Sequence, residues 1–216
     1  MKPQLVIGNK NYSSWSLRPW LAARHAGIEF DEIRIALDTP ETAALLQHYS
    51  PSCKVPVWRE GDLVIWDSLA ICEYLAEQVP ALWPTDAAAR AVARSVSAEM
   101  HSGFTALRTH MTMNARARGR NVPVTPEIAA DIDRIVMIWS DCRSRFGADG
   151  PWLFGAFSIA DAMFAPVALR FTTYGVSRSG AVDDYVATQL ADPHLQAWLA
   201  AAERESEVIE QYEWGR

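Results

Sequence analysis

Three short stretches of this 216-residue chain carry side chains whose types and spacing suit chemistry. In NYSSWSLRPWL (residues 11–21), Ser13 and Ser14 lie just ahead of a helix. A proline's missing N–H is harmless only in a first turn, so Pro19 puts the N-cap near Ser16. Hydroxyls there can donate to an anion that the positive helix end also attracts; alternatively, the serines compete to cap the helix. In YSPSCKVPVW (49–58), Pro56 stands inside what otherwise reads as a strand, although proline cannot donate to a ladder. A cis Val55–Pro56 bond accounts for this, because it turns Val55's N–H and C=O out of the ladder. Those groups can then pair with a ligand backbone, as a sheet edge pairs with an added peptide. In WDSLAI (66–71), Asp67 and Ser68 sit where a strand becomes a helix, with no Glu or Gln at capping-box spacing. The helix N–H groups and Ser68 can hold a carboxylate and Asp67 an ammonium, which together suit an amino-acid head group. An ordinary Asp or Ser cap is the alternative reading.

The surrounding pattern supplies elements to position these groups. QLVIG reads as a buried strand and EFDEIRIAL as a second, while VPVWRE and LVIW form a hairpin around the turn EGD. Between the first two strands, Leu17, Trp20 and Leu21 recur at helical spacing before Gly27, a C-terminal stop. After the hairpin, DSLAICEYLAEQV puts Leu69, Cys72, Leu75, Ala76 and Val79 on one helix face. The order is β-α-β, a partly helical or irregular connection, then β-β-α. PALWPTDAAA reads as a linker, and beyond it every periodic segment is helical. In the clearest of them Thr125 caps, Pro126 occupies the first position, and Ile128, Ile132, Ile135, Trp139 and Cys142 form a stripe ending before Gly147. SIADAMFAPVALRF opens with Ser158 and Asp161 at capping-box spacing and holds Pro166, which predicts a kink. DPHLQAWLAAAERE starts a further helix with Asp-Pro.

Composition excludes several function classes. Half the residues are hydrophobic and 21% charged, enough for a packed core. A net charge of −6 argues against non-specific nucleic-acid binding. The N-terminus reads as neither signal peptide nor membrane span, and no run approaches about 18 apolar residues. The three cysteines, Cys53, Cys72 and Cys142, form no C-x-x-C pair, which speaks against a metal site or redox dithiol and for a reducing, cytoplasmic setting.

Taken in order, these stretches resemble the glutathione transferase family. SSWSLRPWLAARHAGI is similar to the S-S-C-S-x-R-V-R-I-A-L signature of the zeta class, SPSCKVPV to the family's N-P-x-x-x-V-P segment, and WDSLAICEYL to its E-S-x-A-I-x-x-Y-L run. SIADAMFAPV is similar to the S/T-x-A-D box of the second domain. The resemblance covers the whole chain and implies an α/β thioredoxin-like N-terminal domain (1–80), a linker (81–90) and an all-α C-terminal domain (91–216). It implies glutathione as co-substrate, a small electrophile as second substrate, and a homodimer. Ser13 is then the residue that holds the thiolate, with Ser14 as the alternative. Val55, before Pro56, pairs with the cysteinyl backbone, Asp67 and Ser68 hold the γ-glutamyl end, and Lys54 reaches the glycyl carboxylate. Trp15 stands where zeta proteins carry Cys, which excludes cysteine chemistry there. The electrophile pocket is expected along SAEMHSGFTALRTHMTMNAR, from Met100, His101, Phe104, Arg108 and Asn114, with Tyr12 beside them. The same resemblance leaves open a glutathione-dependent cis–trans isomerase of the maleylacetoacetate isomerase kind, or a binding protein that has kept the scaffold.

Overall fold

The structure, a computed structural model, describes residues 2–178 and 180–216. Its sheet has four short strands, β1 (Gln4–Ile7), β2 (Asp31–Arg34), β3 (Val57–Glu60) and β4 (Leu63–Trp66), in spatial order β2-β1-β3-β4. β1 and β2 are parallel and need a crossover, which helix α1 (Ser14–His25) provides. The other two pairings are antiparallel. Alternation along β1 sends Leu5 and Ile7 to one face and Val6 to the other. On the first face they pack with Trp58, with Leu17 and Leu21 of α1, and with Ile71 and Leu75 of α3 (Ser68–Gln78). On the second face Val6, Ile35 and Val57 meet Leu46 and Tyr49 of α2 (Thr42–Tyr49), the helix hidden in the connection before the hairpin.

The first helix departs from expectation at its start. Its N-cap is Ser13, three residues before Ser16, so Pro19 lies inside the helix and not in its first turn. The reason is a contact that local pattern does not encode. Ser16 Oγ accepts the N–H of Gly8 from the preceding loop at 3.1 Å and a bond from Ser13 Oγ at 2.8 Å. Ser16 is thereby held inside the first turn, and Ser13 takes the cap. The helix tolerates the one N–H that Pro19 cannot offer. Its other end is as expected, with Gly27 at φ +68°, the left-handed conformation that glycine adopts freely.

A short 3₁₀ turn (Pro80–Leu82) leads to the helices α4 (Ala87–Ser102), α5 (Thr105–His110), α6 (Pro126–Phe146), α7 (Ile159–Tyr174), α8 (Gly180–Ala191) and α9 (Pro193–Ala202). α4 therefore begins within the stretch read as linker. α6 has the expected cap, proline and apolar stripe. α7 is apolar nearly all round and sits centrally, packed on α1, α4 and α8. Its start is fixed by Asp161, fully buried, whose carboxylate accepts the N–H groups of Leu153 (3.1 Å) and Ser158 (2.8 Å) and the hydroxyl of Tyr185 (2.9 Å). Burial pushes this carboxyl up to about 6, against the pull of those donors. Among the described residues no helix is long and apolar enough to cross a membrane, and no cluster of His, Cys, Asp and Glu could hold a metal ion.

Candidate functional site

The mouth of α1 is where the first expected group stands. Ser13 Oγ accepts the Ser16 N–H at 3.4 Å and donates to Ser16 Oγ, so it serves the cap. Ser14, the first residue of the helix, takes no part in that cap. Both serines line a cavity of about 450 Å³ with Trp15, Lys54 and Val55. Tyr12 lines it too, but its hydroxyl donates to Glu213 at 2.6 Å and accepts from Arg116 at 3.3 Å. Burial and the Glu213 bond hold its pKa above the usual phenol value, so it stays protonated.

The Val55–Pro56 peptide bond is cis. Pairing with β4 begins only at Val57, opposite Trp66, so Val55 lies outside the ladder. Lys54, Val55 and Pro56 border a second cavity of about 420 Å³, which Asp67 and Ser68 also line. The two cavities adjoin, with Trp15, Lys54 and Val55 in the lining of both, and together make up the groove. Ser68 Oγ is buried and has no hydrogen-bond partner among the described residues. A buried hydroxyl left unpaired is costly, and Ser68 is thus able to donate to an acceptor. Asp67 is the N-cap of α3: Oδ1 accepts from the N–H groups of Leu69 (2.9 Å) and Ala70 (3.3 Å). Its φ of +78° is unusual for a non-glycine residue, and Oδ2 lies 3.1 Å from His101 Nε2 on α4. Capping and groove lining are thus both realised at Asp67.

The wall supplied by the helical domain differs from expectation. Arg108 lines the groove, but Met100 and Phe104 lie in the core, with 0% and 6% of their surface exposed. α4 turns Ala93, Val96 and Met100 inward where it packs on α7, and Phe104 follows them into the core with a left-handed backbone, φ +58°. His101 faces Asp67 and its ring meets Trp15 edge-on, at 5.3 Å between centroids. Burial lowers the His101 pKa, opposed by Asp67, so near neutral pH the ring is uncharged. Asn114 donates to Glu213 instead of facing the groove. The wall is completed by Thr105, Thr109, Thr112, Met113, Arg170 and Tyr212. Arg170 had one available sign, a lone cation in the apolar run of α7; Tyr212, near the C-terminus, had none.

Residues 12–78 match the family model Glutathione S-transferase, N-terminal domain, and residues 123–201 match Glutathione S-transferase, C-terminal domain. The two together cover about two thirds of the chain. This chain belongs to the glutathione S-transferase family. The serines, Val55–Pro56 and Asp67–Ser68 all fall inside the first match. Among curated proteins it is similar to "Probable maleylacetoacetate isomerase" of Caenorhabditis elegans, 34% identical over 48% of this chain and 48% of that one. It is also similar to the maleylacetoacetate isomerase of Rattus norvegicus, 29% identical over 56% of this chain and 58% of that one. The chain thus spans about half the length of these relatives. Among glutathione transferase structures, it superposes on a homolog from Burkholderia gl BGR1 with bound glutathione at a TM-score of 0.72, with 23% identity over 95% of this chain and 100% of that one. These structural likenesses fix the transferase fold.

Proposed function

We propose that the groove binds glutathione and keeps its thiol ionised for attack on a small electrophile. The observation that carries this reading is a pair of adjoining cavities, bordered in common by Trp15, Lys54 and Val55, that together present the groups a γ-glutamyl-cysteinyl tripeptide needs. Ser68, with its unpaired buried hydroxyl, and the start of α3 hold the γ-glutamyl carboxylate, and Asp67 its ammonium. Val55's free backbone groups pair with the cysteinyl residue, and Lys54 reaches the glycyl carboxylate. Ser14, which takes no part in the cap, supplies its hydroxyl to the sulfur in this reading, while Ser13 holds the helix end that assists it. Residues 1–80 then bind glutathione, residues 91–216 supply the electrophile wall, and 81–90 join them.

Magnitudes assign the thiol's activation. A free thiol has a pKa of about 8.5, and lowering it two units needs about 2.7 kcal/mol of preference for the anion. A helix end contributes roughly 0.3–1 kcal/mol, and a hydrogen bond to a charged group about 1.5–3 kcal/mol. The hydroxyl therefore supplies the larger share. Calorimetry with glutathione, followed by turnover of chlorodinitrobenzene, tests the reading. Absence of glutathione binding at millimolar concentration removes it.

A second reading is isomerisation, favoured by the names of both curated relatives. Conversion of maleylacetoacetate without net consumption of glutathione would establish it, and glutathione binding with turnover of neither substrate would point to a non-catalytic binding protein. A homodimer in a cytoplasmic setting belongs to the same proposal; sedimentation equilibrium tests the first and cell fractionation the second.

A further inference from the structure

Asp67 is held from three sides. Its backbone sits at φ +78°, a strained region for a residue with a side chain. Oδ1 is committed to the cap of α3, where it accepts the N–H groups of Leu69 and Ala70. Oδ2 lies 3.1 Å from His101 Nε2, which comes from α4. Two bare acceptors repel at that separation, so Nε2 carries a proton and turns it towards the carboxylate.

His101 is itself fixed in place. Its ring meets Trp15 edge-on with centroids 5.3 Å apart, and its carbonyl accepts Arg108 Nη1 at 3.0 Å. Its Nδ1 is buried and has no hydrogen-bond partner among the described residues. A second proton on the ring would therefore find no acceptor. The charges acting on the ring are Asp67 at the start of α3, Arg18 of α1 and Arg108 of α5. From α7 comes Arg170, a further cation acting on Arg18. Glu99, the nearest acid on α4 itself, is taken by Arg134 at 2.7 Å. Burial lowers the pKa of the ring, Asp67 opposes this, and both arginines add to the lowering.

We infer that His101 is a positioning residue for the first substrate: its Nε2–H aims the Asp67 carboxylate and leaves the negative charge of that carboxylate to the substrate's ammonium. The inference rests on the reading that the γ-glutamyl end of glutathione lies at Asp67. A neutral donor orients a carboxylate without neutralising it, whereas a cationic imidazolium is a rival to the ammonium for the same oxygen. Protonation of His101 and capture of the ammonium are thus mutually opposed, and affinity falls as acid charges the ring.

The test compares S-methylglutathione with its desamino counterpart, glutaryl-S-methylcysteinylglycine, which lacks only the ammonium. Both are titrated by calorimetry at about pH 7.5 and about pH 5.5, on either side of the ordinary histidine range. The unmodified protein is expected to prefer S-methylglutathione by about tenfold or more at the higher pH and to lose most of that preference at the lower. His101→Gln, a neutral donor of similar reach, keeps the preference at both. His101→Lys, cationic throughout, has little preference at either. The desamino probe binds all three proteins alike, which shows that the groove is intact. A preference that is independent of pH in the unmodified protein overturns the inference. So does a loss in acid that His101→Gln shares, or a full preference in His101→Lys. If His101→Lys does not fold, the pH profiles of the other two proteins decide. Failure of both probes to bind removes the glutathione reading and this inference with it, while binding without the pH effect removes this inference alone.

Discussion

At the mouth of α1, Ser13 and Ser14 have different tasks because only one of them is bonded to Ser16. Replacing Ser14 with Ala is expected to raise the pKa of bound glutathione's thiol by about one unit or more, the equivalent of losing about 1.4 kcal/mol of anion stabilisation. Affinity is expected to change little, since the proposal has Val55, Asp67 and Ser68 grip the tripeptide; thiolate absorbance titrated against pH reads the first quantity and calorimetry the second. Ser13→Ala removes a helix cap and is expected to cost about 1 kcal/mol of stability in urea denaturation. Should Ser13→Ala raise the thiol pKa and Ser14→Ala leave it unmoved, the sulfur belongs to Ser13, which would have to exchange its bond to Ser16 Oγ for one to the ligand.

At the level of elements, helix ends do most of the positioning, and the buried start of α7 is the most demanding of them. Asp161 gathers hydrogen bonds from Leu153, Ser158 and Tyr185 with no exposure to water. Asp161→Ala leaves those donors unpaired in the core and is expected to cost on the order of 3 kcal/mol or more, read from the urea midpoint at constant slope. This motif was legible in the sequence, as were the hairpin and α6, because cap, stripe and stop are neighbours along the chain. The true start of α1 was not, since it depends on Gly8 reaching Ser16 across a loop. The side of the groove proposed to hold glutathione is built from three local motifs, each a short run of neighbours along the chain. The facing wall combines α5, α7 and the C-terminal segment, and no local pattern tells Met100, which turns inward, from Arg108, which turns to the groove.

Across the whole molecule, the C-terminal segment ties the two domains together. Glu213 accepts from Tyr12 (2.6 Å), Asn114 (2.9 Å) and Arg120 (2.6 Å), and Thr112 donates to the carbonyl of Tyr212 at 2.9 Å. Burial pushes the Glu213 carboxyl up, but bonds from Tyr12 and Arg216 and the charge of Arg120 outweigh it and hold the pKa below the usual range. A depressed folded-state pKa gives stability that is fully present above the unfolded value, about 4.3, and is lost as pH falls through the folded one. Glu213→Gln is therefore expected to melt lower at neutral pH and to converge with the parent protein in acid; coincident melting curves at pH 7 would refute this.

The clasp at Glu213 also bears on how the chain can be divided. With Tyr12 and Asn114 both on Oε1 of that carboxylate and Arg120 on Oε2, and with α1 seated on α7, neither half has a finished exterior of its own. A fragment cut at the linker would present the inner side of α1 to solvent as an adhesive surface, so heating the intact protein is expected to produce a single calorimetric peak, with the halves surviving or failing as one.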